Sequence, residues 1–143
     1  CPTSNLFLGS GLFPLKKAWD EGVKVGLGTD IGAGTSFNQL QTLNEAYKVQ
    51  QLQGEKLSAF ESLYHATLGG AKALSLDDRL GNFNVGKEAD FVVLDLNATT
   101  LQQLRQSRAK NIEDTFFALT MLGDDRNIAA TYVYGQAVYV KAQ

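Results

Sequence analysis

The sequence predicts an α/β fold in which strand–helix units come first and a strand-rich part with one apolar helix follows. Three patterns carry this prediction. Residues 23–30 have the pattern of a buried strand, which leads through a glycine-rich loop into a helix over 38–53. A Ser-x-x-Glu capping box at 58–61 precedes a second amphipathic stretch. Two Tyr- and Val-rich runs, 128–134 and 137–140, meet at a glycine as the strands of a hairpin do.

The N-terminal half contains two more predicted features. A short helix is predicted over 12–18, and the run that begins at Trp19 is expected to end it. After Ser58, one continuous helix is predicted to reach Leu74, because apolar residues recur at helical spacing. This apolar stripe consists of Phe60, Leu63, Tyr64, Thr67, Leu68, Ala71 and Leu74.

The C-terminal half is predicted to alternate between strand and helix. Residues 89–96 are rich in β-branched side chains and indicate a strand, and a short, mostly solvated helix is expected near 99–107. Asn111 is a suitable N-cap for a helix over 112–122, and Gly123 is a natural stop. Because that helix is apolar over most of its circumference, it should be buried on more than one side.

The composition is that of an ordinary globular chain and excludes several classes of function. With 143 residues, 44% of them hydrophobic, the chain can bury a core, yet no apolar run reaches the ~18 residues of a membrane span. The net charge is −2 and the basic residues are scattered, so neither nucleic acid nor a membrane is an expected partner. A single cysteine fits a reducing compartment, and the cytoplasm is the expected location. Since no initiator Met or signal peptide precedes Cys1, we expect a piece of a longer chain.

Few residues can carry chemistry. One His and one Cys cannot complete a His- or Cys-rich metal site, and His65, with no nucleophile motif nearby, is expected to be structural. The glycine pairs match neither the dinucleotide fingerprint nor a phosphate loop. Asp30 differs, because it ends an apolar strand before a glycine-rich loop, where α/β barrels place catalytic groups. Position alone leaves a loop N-cap as the alternative.

Several motifs together resemble those of the amidohydrolase superfamily. Val25–Asp30 resembles the eighth barrel strand of that superfamily, whose closing Asp is a metal-site residue. Cys1–Leu6 resembles the loop before this strand in the deaminase and chlorohydrolase branch, Ala66–Leu74 the following helix, and Gly81–Phe91 the start of the small β domain. Met121–Ile128 and Thr131–Gly135 are similar to the C-terminal signature of the guanine deaminase family.

The resemblance implies a fold, a reaction and a set of site residues. Residues 1–76 would be the C-terminal strand–helix units of a (β/α)₈ hydrolase barrel, and 77–143 part of a small composite β-sandwich domain. The implied reaction of purine catabolism converts guanine and water to xanthine and ammonia in a cytoplasmic homodimer with one Zn²⁺ per full-length chain. Asp30 would be both metal ligand and catalytic base, with Thr35 and Ser36 at the pocket rim.

The same resemblance implies that this chain alone is inactive. A His-x-His pair, two further His residues and a proton-shuttling Glu are expected on earlier strands, so the chain should neither hold zinc tightly nor turn over guanine. Another amidohydrolase, such as an adenosine-type deaminase or a chlorohydrolase, and a non-enzymatic interaction module remain the alternatives.

The remaining polar residues are expected to play local roles. Asp124, Asp125 and Arg126 should form a turn with local ion pairing. Asn5 is expected to support the neighbouring strand end, and Glu61 to serve in its cap.

Overall fold

The structure, a computed structural model, describes residues 1–142 and mixes helices with a small antiparallel sheet. In chain order the elements are α1 (Pro2–Leu8), α2 (Leu15–Asp20), α3 (Gln39–Leu52), α4 (Ala59–Ala66), α5 (Leu68–Ala73), β1 (Phe91–Leu94), α6 (Thr100–Gln106), α7 (Ile112–Leu122), β2 (Ile128–Val133) and β3 (Gln136–Val140). This mixture of elements confirms the predicted α/β class. Within the described part of the chain, no helix is long and apolar enough to cross a membrane.

The longer helices begin at side-chain caps, of which those at Ser58 and Asn111 were predicted. The Asn38 side chain accepts a hydrogen bond from Leu40 N at 2.7 Å at the start of α3. At the start of α4, Ser58 and Glu61 form both hydrogen bonds of the capping box. Asn111 accepts from a backbone N–H in the first turn of α7, which ends at Leu122 as predicted. Each cap satisfies a backbone donor that has no partner within its helix.

The first two helices differ from the sequence-based expectation. Residues 1–6 were expected to resemble a loop, but residues 2–8 form α1, with Pro2 at its first position and Gly9 in the left-handed region at φ 69°. Proline just inside the start and glycine just past the end are typical helix boundaries. Helix α2 begins three residues later than predicted and includes Trp19 and Asp20, which were expected to end it.

The predicted strand at 23–30 is wrong for this structure, because the segment pairs with none of the described strands. A parallel strand needs a neighbouring strand to bond its backbone, and residues 1–142 place none beside it. Helix atoms satisfy part of its backbone instead. Leu27 N donates to the carbonyl of His65 at 3.1 Å, and Leu27 O accepts from Gln39 Nε2 at 3.1 Å.

The single helix predicted to end at Leu74 is divided into α4 and α5. The helical conformation is interrupted at Thr67, whose hydroxyl donates to Leu63 O at 2.6 Å. The break lies beside a close backbone approach: a Cβ on Gly26 would lie 2.7 Å from Gly70 Cα. Only glycine at position 26 permits that approach without a shift of the backbone.

The buried face of α4 also differs from the predicted apolar stripe. Its buried residues are Ala59, Ser62 and His65, whereas Phe60 is 48% exposed and Leu63 is exposed. The helix therefore packs through a face of smaller and polar side chains next to the 23–30 segment.

The C-terminal strands form a three-stranded antiparallel sheet in the order β1-β2-β3. β1 is shorter than the predicted 89–96. Phe91 of β1 is paired with Tyr132 of β2, and their rings stack with centroids 4.5 Å apart. Tyr134 and Gly135, at φ 52° and 72°, form the tight turn between β2 and β3. The hairpin prediction is confirmed.

Helix α7 joins the two halves of the chain. It contacts α3, α4 and α6, which confirms the prediction that it is buried on more than one side. Leu119 packs with Leu40 and Leu43 of α3 in a buried apolar cluster. The side chain of Asn44 adds a polar contact by donating to Met121 O at 3.0 Å. The helix that follows Asp30 in sequence is thus held against the C-terminal part of the chain.

Candidate metal and active site

Asp30 occupies a constrained backbone position. Its φ of 48° lies in the left-handed region, which Asp tolerates better than most residues. Its carbonyl accepts hydrogen bonds from Ala33 N at 3.2 Å and Gly34 N at 2.5 Å, so the chain turns sharply after it. A Cβ on Gly34 would overlap the carbonyl oxygen of Thr29. The turn therefore requires glycine at position 34, and it fixes the direction in which the Asp30 side chain projects from the backbone.

The Asp30 carboxylate is exposed but held on one side by α1. Ser4, 3% exposed, donates its hydroxyl hydrogen to Asp30 Oδ2 with an Oγ–Oδ2 distance of 2.6 Å. The preceding residue, Thr3, donates to Thr29 O at 3.3 Å. Within residues 1–142, Oδ1 receives no hydrogen bond. One carboxylate oxygen is therefore occupied, and the other is left for a ligand.

Sequence reasoning missed Ser4. It expected Asn5 to support the end of the 23–30 segment, whereas the hydroxyls of Thr3 and Ser4 provide this support. The available signal was Pro2, which marks a helix start and places the next two polar residues in its first turn.

His65 packs against the segment that leads to Asp30 and is structural, as predicted. Its side chain is 1% exposed, and Nδ1 donates to Val25 O at 2.9 Å, because a carbonyl oxygen can only accept. The ring packs edge-on against Trp19 and Tyr64, with centroids 4.7 and 5.4 Å apart. Nε2 is buried without a partner among residues 1–142. The ring and the His65 carbonyl together hold the segment that leads to Asp30.

The loop after Asp30 carries the two residues expected at the pocket rim. Thr35 is exposed. Ser36 is half-buried, and its Oγ accepts from Asn38 N at 3.0 Å, which stabilises the turn into α3. A pocket role for either residue remains a prediction.

The polar run after α7 forms a turn, as expected. Arg126 donates to Asp124 Oδ2 at 2.5 Å, and this side-chain hydrogen bond is the main reason that the pKa of Asp124 lies below its ordinary value. Asp125 is exposed. The residue that sequence reasoning overlooked is Asn127, which is fully buried and bonded to Gln102 through both atoms of its amide.

The residues present fit a zinc site as the source of one ligand. A carboxylate oxygen is an accepted zinc ligand, and Asp30 presents one without a hydrogen-bond partner. Within residues 1–142, however, no group of three or more His, Cys, Asp or Glu side chains could hold a metal ion. A zinc ion at Asp30 would therefore need ligands from outside the described residues.

The fold and the Asp30 site agree with the family model that matches this chain. The chain belongs to the amidohydrolase family, whose model matches residues 1–138. The predicted superfamily is confirmed.

Among individual proteins, the chain is 67% identical to the guanine deaminase of Escherichia coli (strain K12) over 139 residues, which cover 97% of this chain and 32% of that protein. The solved structure of E. coli guanine deaminase matches with a TM-score of 0.97 and 65% identity, over 99% of this chain and 33% of that one. A guanine deaminase from C. acetobutylicum with bound guanine matches with a TM-score of 0.81 and 31% identity, over 97% of this chain and 33% of that one.

A third neighbour carries the metal. An adenosine deaminase from Xanthomonas campestris with bound zinc matches with a TM-score of 0.81 and 29% identity, over 98% of this chain and 31% of that one. Zinc thus occurs among the structural relatives. The chain spans about a third of the length of the relatives it matches.

Proposed function

We propose that this chain is the C-terminal third of a guanine deaminase, which converts guanine and water to xanthine and ammonia. The observation that carries the proposal is the 67% identity to the E. coli enzyme along nearly the whole chain. The bound guanine in the C. acetobutylicum neighbour supports the same substrate. Residues 1–76 then belong to the hydrolase barrel, and residues 77–143 to the small β domain.

Asp30 is the metal ligand and catalytic base in this proposal. Zinc, when bound, lowers the pKa of a coordinated water towards about 7. The Asp30 carboxylate would supply one ligand to the metal and would accept a proton from the water that attacks the ring carbon bearing the amino group; that proton would pass to the amino group, which leaves as ammonia. The rigid turn at Gly34 and the hydrogen bond from Ser4 support this role, because a base must be held at a defined place relative to its substrate.

Exposed apolar side chains support the placement of this chain within a larger barrel. Val23 and Ile31 are exposed at either end of the segment that carries Asp30, and Phe60 and Leu63 are exposed on α4. Further strand–helix units against these faces would remove them from water, which is favourable by about 25 cal/mol per Å² of apolar area. The proposal includes a cytoplasmic homodimer with one zinc ion per full-length chain.

The alternatives have weaker support. The adenosine deaminase neighbour is 29% identical, and the triazine hydrolase neighbours are 25–26% identical, each well below the E. coli enzyme. None of the neighbours described above favours a non-enzymatic interaction module.

The test uses the longest natural open reading frame that contains this sequence. We expect a His-x-His segment upstream in the same frame, about one zinc per purified chain, and ammonia release from guanine with a higher kcat/KM than from adenosine or a chlorotriazine. The 143-residue chain alone is the matched control and should contain no zinc and release no ammonia. Faster turnover of either competing substrate by the full-length protein would overturn the assignment.

A further inference from the structure

We propose that Ser4 is a positioning residue for Asp30: its hydroxyl holds Oδ2 of the carboxylate and so presents Oδ1 to the metal. The inference rests on the proposed function and extends it to a residue outside the strand that carries Asp30. It depends on three features, namely the exposure of Asp30, the burial of Ser4 and the anchoring of α1.

The Asp30 carboxylate needs an external support. The backbone turn fixes where the side chain begins, but it does not fix rotation about the two side-chain torsions. Because the residue is exposed, water offers no preference for one orientation. An Asp side chain in the left-handed region can also bond to nearby backbone. The 2.6 Å contact with Ser4 is the only hydrogen bond to this carboxylate within residues 1–142.

Ser4 is built to provide that support. It is 3% exposed and lies in the first turn of α1, so water has little access to its hydroxyl. A carboxylate oxygen accepts only, so the single hydroxyl hydrogen must point to Oδ2. A hydrogen bond to a charged acceptor is stronger than one between neutral groups, and a buried donor loses more when its partner leaves. The hydroxyl therefore favours one orientation of the carboxylate over the others.

Helix α1 is itself held in place by contacts with the end of the 23–30 segment. Thr3 donates to Thr29 O at 3.3 Å, so two successive residues of α1 bond to two successive residues of the Asp30 segment. The buried side chains of Pro2, Thr3 and Ser4 place the start of α1 inside the fold. Ser4 thus acts from a fixed helix turn, and its contact with Asp30 does not depend on a flexible loop.

The experiment compares variants of the full-length protein. Ser4→Ala removes the hydroxyl, and Ser4→Thr retains it. Ser62→Ala is the matched control, because Ser62 is equally buried, at 1% exposure, but lies on α4. For each protein we would measure the rate of zinc loss to a chelator, together with kcat and KM for guanine.

We expect Ser4→Ala to lose zinc about 10–100-fold faster and to lower kcat by a similar factor, as is typical when a group that orients a metal ligand is removed. KM for guanine should stay within about threefold, because substrate affinity is not the property that Ser4 affects. Ser4→Thr should recover most of both losses, and Ser62→Ala should match the parent protein. If Ser4→Ala does not fold, Ser4→Val, which has the shape of threonine but no hydroxyl, is expected to show the same zinc loss relative to Ser4→Thr.

Two results would overturn the inference: parental zinc retention and kcat in Ser4→Ala, or equal losses in Ser62→Ala. Failure of the proposed function gives a different result. If the full-length protein binds zinc but does not release ammonia from guanine, guanine deamination is refuted, and the rate of zinc loss still decides the role of Ser4.

Discussion

Asn127→Ala is expected to be the most destabilising single change in the C-terminal part of the chain. The Asn127 side chain is fully buried and takes part in four hydrogen bonds. Oδ1 accepts from Gln102 Nε2 at 3.0 Å and from Asp124 N at 2.9 Å. Nδ2 donates to Gln102 Oε1 at 2.9 Å and to Asp95 O at 2.5 Å. One amide therefore connects α6, the turn after α7 and the end of β1.

The magnitude follows from these four contacts. A net contribution of 0.5–1.5 kcal/mol for each hydrogen bond gives about 2–6 kcal/mol in total. Alanine also leaves Gln102 Oε1 and the Asp95 carbonyl without their partners in the interior, which costs more than the loss of a solvated contact. We therefore expect the free energy of unfolding to fall by about 3–5 kcal/mol, at the upper end of the range for single substitutions.

The assay is urea denaturation of the full-length protein, followed by circular dichroism, together with hydrogen–deuterium exchange of peptides that cover 95–106 and 119–130. Asp125→Ala is the matched control, because Asp125 is exposed in the same turn and should change stability by less than about 0.5 kcal/mol. Both peptides should exchange faster in Asn127→Ala than in the parent protein, and neither should in Asp125→Ala. If Asn127→Ala and Asp125→Ala were equally stable, the reasoning from buried hydrogen bonds would be refuted.

Three further predictions concern the site and its supporting helices. Asp30→Ala in the full-length protein should lower kcat for guanine by about 10²–10⁴-fold, the range for loss of a general base, and parental turnover would refute the assigned role. Gly34→Ala should reduce both the melting temperature and the zinc content, since its Cβ overlaps the Thr29 carbonyl; unchanged values of both would contradict the turn geometry. Hydrogen bonds from the Ser58 backbone and hydroxyl lower the pKa of Glu61, so its stabilising effect exists above the unfolded pKa and is lost as pH falls through the folded pKa. Glu61→Gln should therefore cost about 0.5–1 kcal/mol at pH 7 and little in acid below the folded pKa of Glu61, as measured by urea denaturation across the acid range; a cost independent of pH would contradict this reasoning.

The sequence by itself determined the features that depend on neighbouring residues. The caps at Ser58 and Asn111 were predicted correctly, because a cap and its backbone donor lie two or three residues apart. The hairpin turn was predictable for the same reason, since Gly135 and its flanking strands form one local pattern. The motifs that resemble the amidohydrolase superfamily are likewise short runs, and the family match confirms the superfamily. The role of Asp30, which one of these motifs suggested, stays a prediction.

The tertiary structure alone decided which distant residues meet. Ser4 contacts Asp30 across 26 positions, and Asn127 contacts Gln102 across 25, separations that no periodicity of the chain encodes. The 23–30 segment has strand-like composition, but it forms no strand here, because a strand exists only where a second strand bonds its backbone. His65 likewise lies off the predicted apolar stripe, yet it is buried on α4, because its ring and carbonyl bond to the backbone of that segment. Helix caps depend on local geometry, whereas buried polar contacts depend on which elements pack together.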